Sequence, residues 1–228
     1  MTRPYVFLCT AMSLDGKIST FDRKQAEIAT DDDKELTYIC RIEADAVFIG
    51  AGQLRLDDPK LTVKTEERRQ KRLAAGKTRE PMKVVVISDL STIKNRDGDF
   101  FSTGEKRVLF TTNKTSKSDL DFFRKKADVF VFGEDKVDLK RSMEKLYELG
   151  VKKVMVEGGG ELIFSLLNDH LVDEIRLKIG NLILGGRAAP TLADGEGFLQ
   201  GNALKVRFGD LVRKDNYIIL KCYPVYEK

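Results

Sequence analysis

The chain has 228 residues, 42% of them apolar, which is enough to bury a sizeable core, and we read residues 1–228 as a single domain. Forty basic and 36 acidic side chains leave a net charge of +4 spread along the chain, a solvated surface and not a nucleic-acid footprint. Three distant cysteines, one histidine and no Cys-x-x-Cys exclude a disulfide framework, a zinc site and a Ser-His-Asp triad.

No stretch approaches the roughly 20 apolar residues that span a bilayer. Met1 to Tyr5 run straight into an apolar strand without a signal-peptide pattern, so a cytoplasmic protein without membrane partners is expected. Tyr5 to Ala11 reads as a buried strand and Met12 to Lys17 as the loop after it. Thr30-Asp31-Asp32-Asp33 then opens a helix to about Ala44, with Thr30 as N-cap and Asp33 at the capping-box position. Arg41 lies within that helix. Ala46 to Gly50 is a second buried strand. Gly50-Ala51-Gly52 fails the dinucleotide fingerprint, because the third glycine would fall at Arg55. The densest basic run, Glu66 to Arg72, also carries acids and lacks aromatics, so it reads as an exposed helical insertion.

Lys83 to Ile87 forms a third strand with Ser88-Asp89 at its end, and Arg107 to Thr111 a fourth. Ser118 to Lys126 is a helix, Asp128 to Gly133 a fifth strand, and Asp138 to Leu149 a helix closed by Gly150. His170 falls at a helix C-terminus, where it complements the dipole. Asp173 to Ile179 alternates polar and apolar residues like a half-exposed strand. Leu204 to Val212 and Asn216 to Tyr226 form a hairpin around Lys214-Asp215. The fold class is therefore α/β: a mixed, mostly parallel, doubly wound sheet with helices on both faces and a C-terminal antiparallel hairpin. The apolar hairpin points to a homodimer.

The organising stretch is Val154 to Leu162. A β-branched strand runs into Gly158-Gly159-Gly160, and a short helix begins at Glu161. Glycines there permit positive φ and close approach, and the N–H groups of a helix start suit a pyrophosphate. Glu157 stands at the strand's C-terminal end, where open α/β sheets place their ligand crevice.

Four ordered motifs carry a resemblance over nearly the whole chain. They are Met12-Ser13-Leu14-Asp15-Gly16-Lys17; Gly50-x-Gly52 with Asp57-Asp58-Pro59-x-Leu61-Thr62; Glu157-Gly158-Gly159-Gly160; and Gly185-Gly186-x-Ala188-Ala189-Pro190-Thr191 with Asp194-Gly195-Glu196-Gly197. Together they resemble the riboflavin-pathway reductases, which have a dihydrofolate-reductase-like fold. The resemblance implies hydride transfer from NADPH, with NADH as the alternative carrier, to the ribosyl C1′ of a pyrimidine ribosylamine 5′-phosphate. No zinc-deaminase motif occurs, so the chain is similar to the stand-alone archaeal and fungal enzymes, which act on 2,5-diamino-6-ribosylamino-4(3H)-pyrimidinone 5′-phosphate.

The same resemblance sets Ala11, Gln53, Asp57, Ser88, Gly158, Gly159, Gly160, Glu161 and Leu162 around the cofactor. It sets Arg41, Leu61, Lys64 and Glu157 around the substrate, with Glu157 nearest to a catalytic role. Gln53 replaces the usual Thr or Ser, and Lys64 the Arg of bacterial relatives. Asp33 is the leading candidate to read the substrate's 2-amino group, since a carboxylate is acceptor-only. The alternatives are a reductase of the same fold acting on the deaminated pyrimidine or a pterin, and a nucleotide-binding sensor without turnover.

Overall fold

The computed structural model describes residues 2–24, 26–28 and 33–226, Asp33 and Lys34 by their backbone alone. The chain falls into two compact units, one of Met1–Pro4 and Tyr38–Met155, the other of Tyr5–Thr37 and Val156–Lys228. Two elements run across the boundaries along the chain: α1 (Asp33–Glu43) and β6 (Lys153–Gly158).

The first unit carries β2 (Ala46–Gly50), β3 (Met82–Val86), β4 (Arg107–Thr111) and β5 (Asp128–Val131), ordered β5-β4-β3-β2 and all parallel. Its short strands are continuous apolar runs because both faces are covered: Val47, Phe48, Ile49, Val84, Val108, Leu109 and Phe110 are all fully buried. Each such side chain contributes about 1.5–3 kcal/mol relative to exposure. Between the strands lie α2 (Ala51–Asp57), α3 (Glu66–Ala74), α4 (Asp99–Ser102), α5 (Lys117–Phe123) and α6 (Leu139–Glu148). Helix α6 shows how sequence sets local structure. Asp138 caps it by accepting the Arg141 N–H at 3.0 Å, Leu139, Met143 and Leu146 repeat at helical spacing into the core, and Gly150 follows its end at φ +88°. Asp45 ties strand starts together: its carboxylate accepts the N–H groups of Lys152 and Lys153 at 2.9 Å each, and its carbonyl that of Met82.

The second unit carries β1 (Tyr5–Met12), β7 (Glu174–Gly180), β8 (Lys205–Arg213), β9 (Tyr217–Val225) and α7 (Gly160–Asn168). Strands β1 and β7 are parallel, and β9 and β8 follow antiparallel, in the order β1-β7-β9-β8. The mixed, mostly parallel sheet with helices and the C-terminal hairpin agree with the sequence reading.

Two local expectations are corrected. Helix α3 is not merely an exposed insertion, because Arg72 on it is fully buried. Its guanidinium donates to the carbonyls of Arg41 (2.6 Å), Ala44 (2.6 Å) and Thr78 (2.8 Å), so it caps the end of α1. Strand β7 is not half-exposed either. Glu174 is 5% and Lys178 2% exposed. The alternating charges are covered by partners on β7 itself and on neighbouring strands: Glu174 accepts from Tyr5 (2.7 Å) and Arg176 (2.6 Å), Arg176 lies over Phe7, and the Lys178 ammonium sits 3.7 Å from the Tyr217 ring centre. Burial alone would raise the Glu174 carboxyl, but these hydrogen bonds outweigh it and hold the group below its ordinary value. Cys9, Cys40 and Cys222 are buried, as their apolar settings indicated. His170 lies just past the end of α7 at φ +58° and stacks on Tyr226 with ring centres 4.4 Å apart. Among the described residues, no helix is long and apolar enough to cross a membrane.

Candidate active site

In the second unit the glycine turn forms as expected, but its three glycines have different reasons to be there. Gly158 ends β6 at φ +131°, a conformation that side chains resist, and its peptide to Gly159 is cis. Gly159 is the N-cap of α7 with ordinary φ of −76°, and a Cβ there would meet nothing within 4 Å. Gly160 is packed by protein: a Cβ would lie 2.3 Å from Asp194 Oδ2 and 2.6 Å from the Thr191 carbonyl. The open space that could receive a ligand is therefore at Gly159. Glu157, one residue before the turn, is half-buried. Glu161 is exposed in the first turn of α7, while the Leu162 side chain is in the core and has only its backbone to offer a ligand.

The first and fourth sequence motifs turn out to be one structure. The Asp15 carboxylate accepts the Ser13 hydroxyl (2.6 Å) and the N–H groups of Leu184 (3.1 Å) and Gly185 (2.8 Å). Those bonds, led by that of Ser13, pull its pKa down to about 2. Lys17 bridges to Thr191, and Thr191 is held by Asp194 through its N–H (3.0 Å) and hydroxyl (2.7 Å). Asp194 closes the chain of contacts at Gly160. Ala11 lies in register with Lys178, so the two leave the same face of the β1–β7 pair.

In the first unit Arg41, Leu61 and Lys64 are brought together by one loop. Arg41 Nη1 donates to the Thr62 carbonyl at 2.9 Å. Leu61 (φ +49°) and Lys64 (φ +73°) both have left-handed backbone, strain of about 1–3 kcal/mol each that accumulates at functional sites. Glu80, which the sequence reading missed, holds the loop from beneath by accepting the Val63 N–H at 2.8 Å and Arg69 Nε at 2.7 Å. The Leu61 side chain is buried, whereas that of Lys64 is exposed.

Gln53 and Asp57 stand one turn apart on α2. Gln53 Oε1 is buried without a hydrogen-bond partner among the described residues, an acceptor awaiting a donor. Partial desolvation raises the Asp57 carboxyl above its ordinary value. Its neighbour Asp58 is structural, accepting from Asn95 (2.7 Å) and from the N–H groups of Asp99 (2.8 Å) and Phe100 (2.9 Å) to cap α4. At the end of β3 the Asx turn belongs to Asp89, which accepts the Ser91 N–H at 2.8 Å. Ser88 is fixed by its carbonyl, which accepts the buried Thr112 hydroxyl at 2.6 Å, leaving its own hydroxyl without a hydrogen bond among the described residues. In the second unit, the open Gly159 at the start of α7 suits an anionic group. Thr30, Asp31 and Asp32 lie outside the described residues, and of Asp33 only the backbone, at the start of α1, is described. Among the described residues, no cluster of three His, Cys, Asp or Glu could hold a metal ion.

A mostly parallel sheet with helices between its strands and a strand–glycine–helix turn defines the chain as an open-sheet α/β protein. It belongs to the RibD C-terminal domain family, whose model matches residues 4–220. It is similar to the 2,5-diamino-6-ribosylamino-4(3H)-pyrimidinone 5′-phosphate reductase of Archaeoglobus fulgidus, 43% identical over 87% of this chain and 90% of that one. It is also similar to the enzyme of the same name from Methanothermobacter thermautotrophicus, 37% identical over 86% of each. Among solved structures it is similar in fold to Acinetobacter baumannii RibD, with a TM-score of 0.79 at 18% identity, covering 98% of this chain and 58% of that one.

Proposed function

We propose that the chain catalyses the NADPH-dependent reduction of 2,5-diamino-6-ribosylamino-4(3H)-pyrimidinone 5′-phosphate to its ribitylamino counterpart in riboflavin biosynthesis. The observation that carries this reading is the likeness to reductases of that name over nearly the full length of both chains. When bound, the nicotinamide supplies the hydride that reduces C1′ of the opened sugar. The chain's own residues bind, orient and move a proton. Arg41 and Lys64 hold the 5′-phosphate, and the rigid backbone from Leu61 to Lys64 fixes their spacing. Glu157 binds a sugar hydroxyl or passes the proton that the amine nitrogen gains.

For the cofactor, Ala11, Gln53, Asp57, Ser88 and the turn from Gly158 to Leu162 are the residues we assign. The N–H groups at the start of α7 receive the pyrophosphate over the open Gly159, and the Ser88 hydroxyl takes the 2′-phosphate that distinguishes NADPH from NADH. Asp33 reads the 2-amino edge of the pyrimidine. The proposal extends to a cytoplasmic homodimer, supported by the apolar side chains Val206, Phe208, Leu211 and Val212 that β8 exposes.

The decisive experiment follows NADPH oxidation with the diaminopyrimidine substrate, its deaminated form and dihydrofolate, and identifies the product by mass spectrometry. A ribitylamino product formed from the diamino compound in preference to the other two is expected. Preference for the deaminated compound or for dihydrofolate would move the chain to another substrate, and binding of NADPH without turnover would make it a sensor.

A further inference from the structure

We propose that Arg55 supplies the cation that holds the adenosine 2′-phosphate of NADPH beside Ser88, and that it thereby sets the preference for NADPH over NADH. The inference rests on the reading of Ser88 as the hydroxyl that takes that phosphate, and adds the charge that a hydroxyl cannot supply.

Arg55 and Ser88 leave the same edge of the first unit. Strands β2 and β3 are parallel, with Gly50 opposite Val86. Helix α2, which follows β2, and the turn that follows β3 therefore start side by side at the carboxyl end of the sheet, where open α/β sheets bind their ligands. That turn is held by threonines at the end of β4 and just beyond it. The Ser88 carbonyl accepts the Thr112 hydroxyl at 2.6 Å and the Thr111 hydroxyl at 3.3 Å, and the Thr115 hydroxyl accepts the Leu90 N–H at 3.1 Å. All three threonines are buried. Ser88 thus presents, from a main chain fixed in advance, a hydroxyl that makes no hydrogen bond among the described residues.

Arg55, exposed in the last turn of α2, reaches across to that turn. Its Nη1 donates to Thr92 Oγ1 at 3.1 Å, and the Thr92 hydroxyl donates to the Asp89 carbonyl at 2.7 Å. Two hydrogen bonds in series tie the guanidinium to the residue next to Ser88. Among the described residues Arg55 makes no other hydrogen bond and no ion pair. A guanidinium carries five donors in a rigid plane, so an anchor on Thr92 leaves enough for a fork onto two phosphate oxygens.

The same turn carries an acid. The Asp89 carboxylate accepts the Ser91 N–H at 2.8 Å and is not paired with Arg55. By itself that acid repels a phosphate and favours the ribose hydroxyl of NADH, whose proton it can accept in a hydrogen bond. Arg55 offsets the repulsion. Removing its charge should therefore shift discrimination toward NADH and not weaken both cofactors alike.

The test compares Arg55→Leu, Arg55→Lys and Ser88→Ala with the wild-type chain. Calorimetry measures binding of adenosine 2′,5′-bisphosphate and adenosine 5′-phosphate, which differ only in the 2′-phosphate, and kinetics give kcat/KM for NADPH and NADH. Arg55→Leu should bind the bisphosphate about tenfold or more weakly, the loss expected of one charged hydrogen bond, and the monophosphate less than about threefold more weakly. The ratio of kcat/KM for NADPH to that for NADH should fall about tenfold as well, and Arg55→Lys should recover part of both losses. Equal weakening of the two nucleotides, or an unchanged ratio, would overturn the role of Arg55 while Ser88→Ala still lowers the ratio. If Ser88→Ala also leaves the ratio unchanged, or if the wild-type chain binds the two nucleotides equally, the 2′-phosphate lies elsewhere and the proposal fails with the Ser88 assignment. Nucleotide binding needs no substrate, so failure of the diaminopyrimidine reading shows separately, in turnover.

Discussion

The Glu80 carboxylate accepts the backbone N–H of Val63 at 2.8 Å, which places a buried acid directly under the loop that carries Leu61 and Lys64. The same carboxylate holds Arg69, so removing it leaves both a buried N–H and a guanidinium without their acceptor. Glu80→Ala is expected to cost about 2–4 kcal/mol in urea unfolding, and to lower kcat/KM on the phosphorylated substrate through loss of loop geometry. Glu80→Gln keeps an acceptor for Val63 and should cost less than half as much. Equal stability of wild type and Glu80→Ala would show that the loop holds its strained backbone without this support.

Neighbouring glycines should respond oppositely to substitution. A Cβ at Gly160 collides with Asp194 and the Thr191 carbonyl, so Gly160→Ala should destabilise by about 1–3 kcal/mol by thermal melting. Gly159→Val meets open space and should melt near wild type, yet lose NADPH affinity by more than about tenfold because the branched side chain fills the approach to the helix start. Unchanged NADPH affinity in folded Gly159→Val would remove the turn from the cofactor site.

Ser88→Ala removes a hydroxyl that makes no hydrogen bond among the described residues, so stability should change by no more than about 0.5 kcal/mol. Titrations of NADPH and NADH should then diverge, with NADPH weakened about fivefold or more and NADH nearly unaffected. Equal weakening of both would place Ser88 away from the 2′-phosphate.

Lys83 on β3 is fully buried, its ammonium donating to the Phe100 carbonyl (2.9 Å) and the Thr103 hydroxyl (2.8 Å). Burial, with Arg107 nearby, lowers its pKa from 10.5 to about 7. Between those values the unfolded chain binds the proton more tightly than the folded one, so this group makes stability rise with pH across that window and contributes no slope below it. The rise is on the order of a few kcal/mol. Lys83→Met should flatten the pH dependence of unfolding between pH 7 and pH 10, measured by urea denaturation. An unchanged slope would assign the dependence to other groups.

Much of this architecture was legible because it is written locally. Continuous apolar runs marked β2, β3 and β4, capping residues and spacing marked α6, and the glycines after Val156 marked the turn into α7. The hairpin of β8 and β9 was readable as two runs on either side of Lys214-Asp215. At β7 alternation misled, since burial there depends on which rings of β1 and β9 lie beside its charges.

From the sequence alone came the strand–helix order, the glycine turn and the four motifs whose combination marks the family. Periodicity and turn chemistry act over a few residues, and the sequence records them directly. Tertiary structure alone decided that Gly160 is demanded by Asp194 and Gly159 is not, that Arg68, Arg69 and Arg72 serve three different partners, and that Leu61 and Lys64 adopt left-handed backbone. These outcomes depend on contacts between segments far apart in the chain, such as Asp194 with Gly160 or Arg72 with Arg41. Such contacts leave no periodic trace, because a side chain's partner is fixed by how the elements pack and not by its neighbours in sequence.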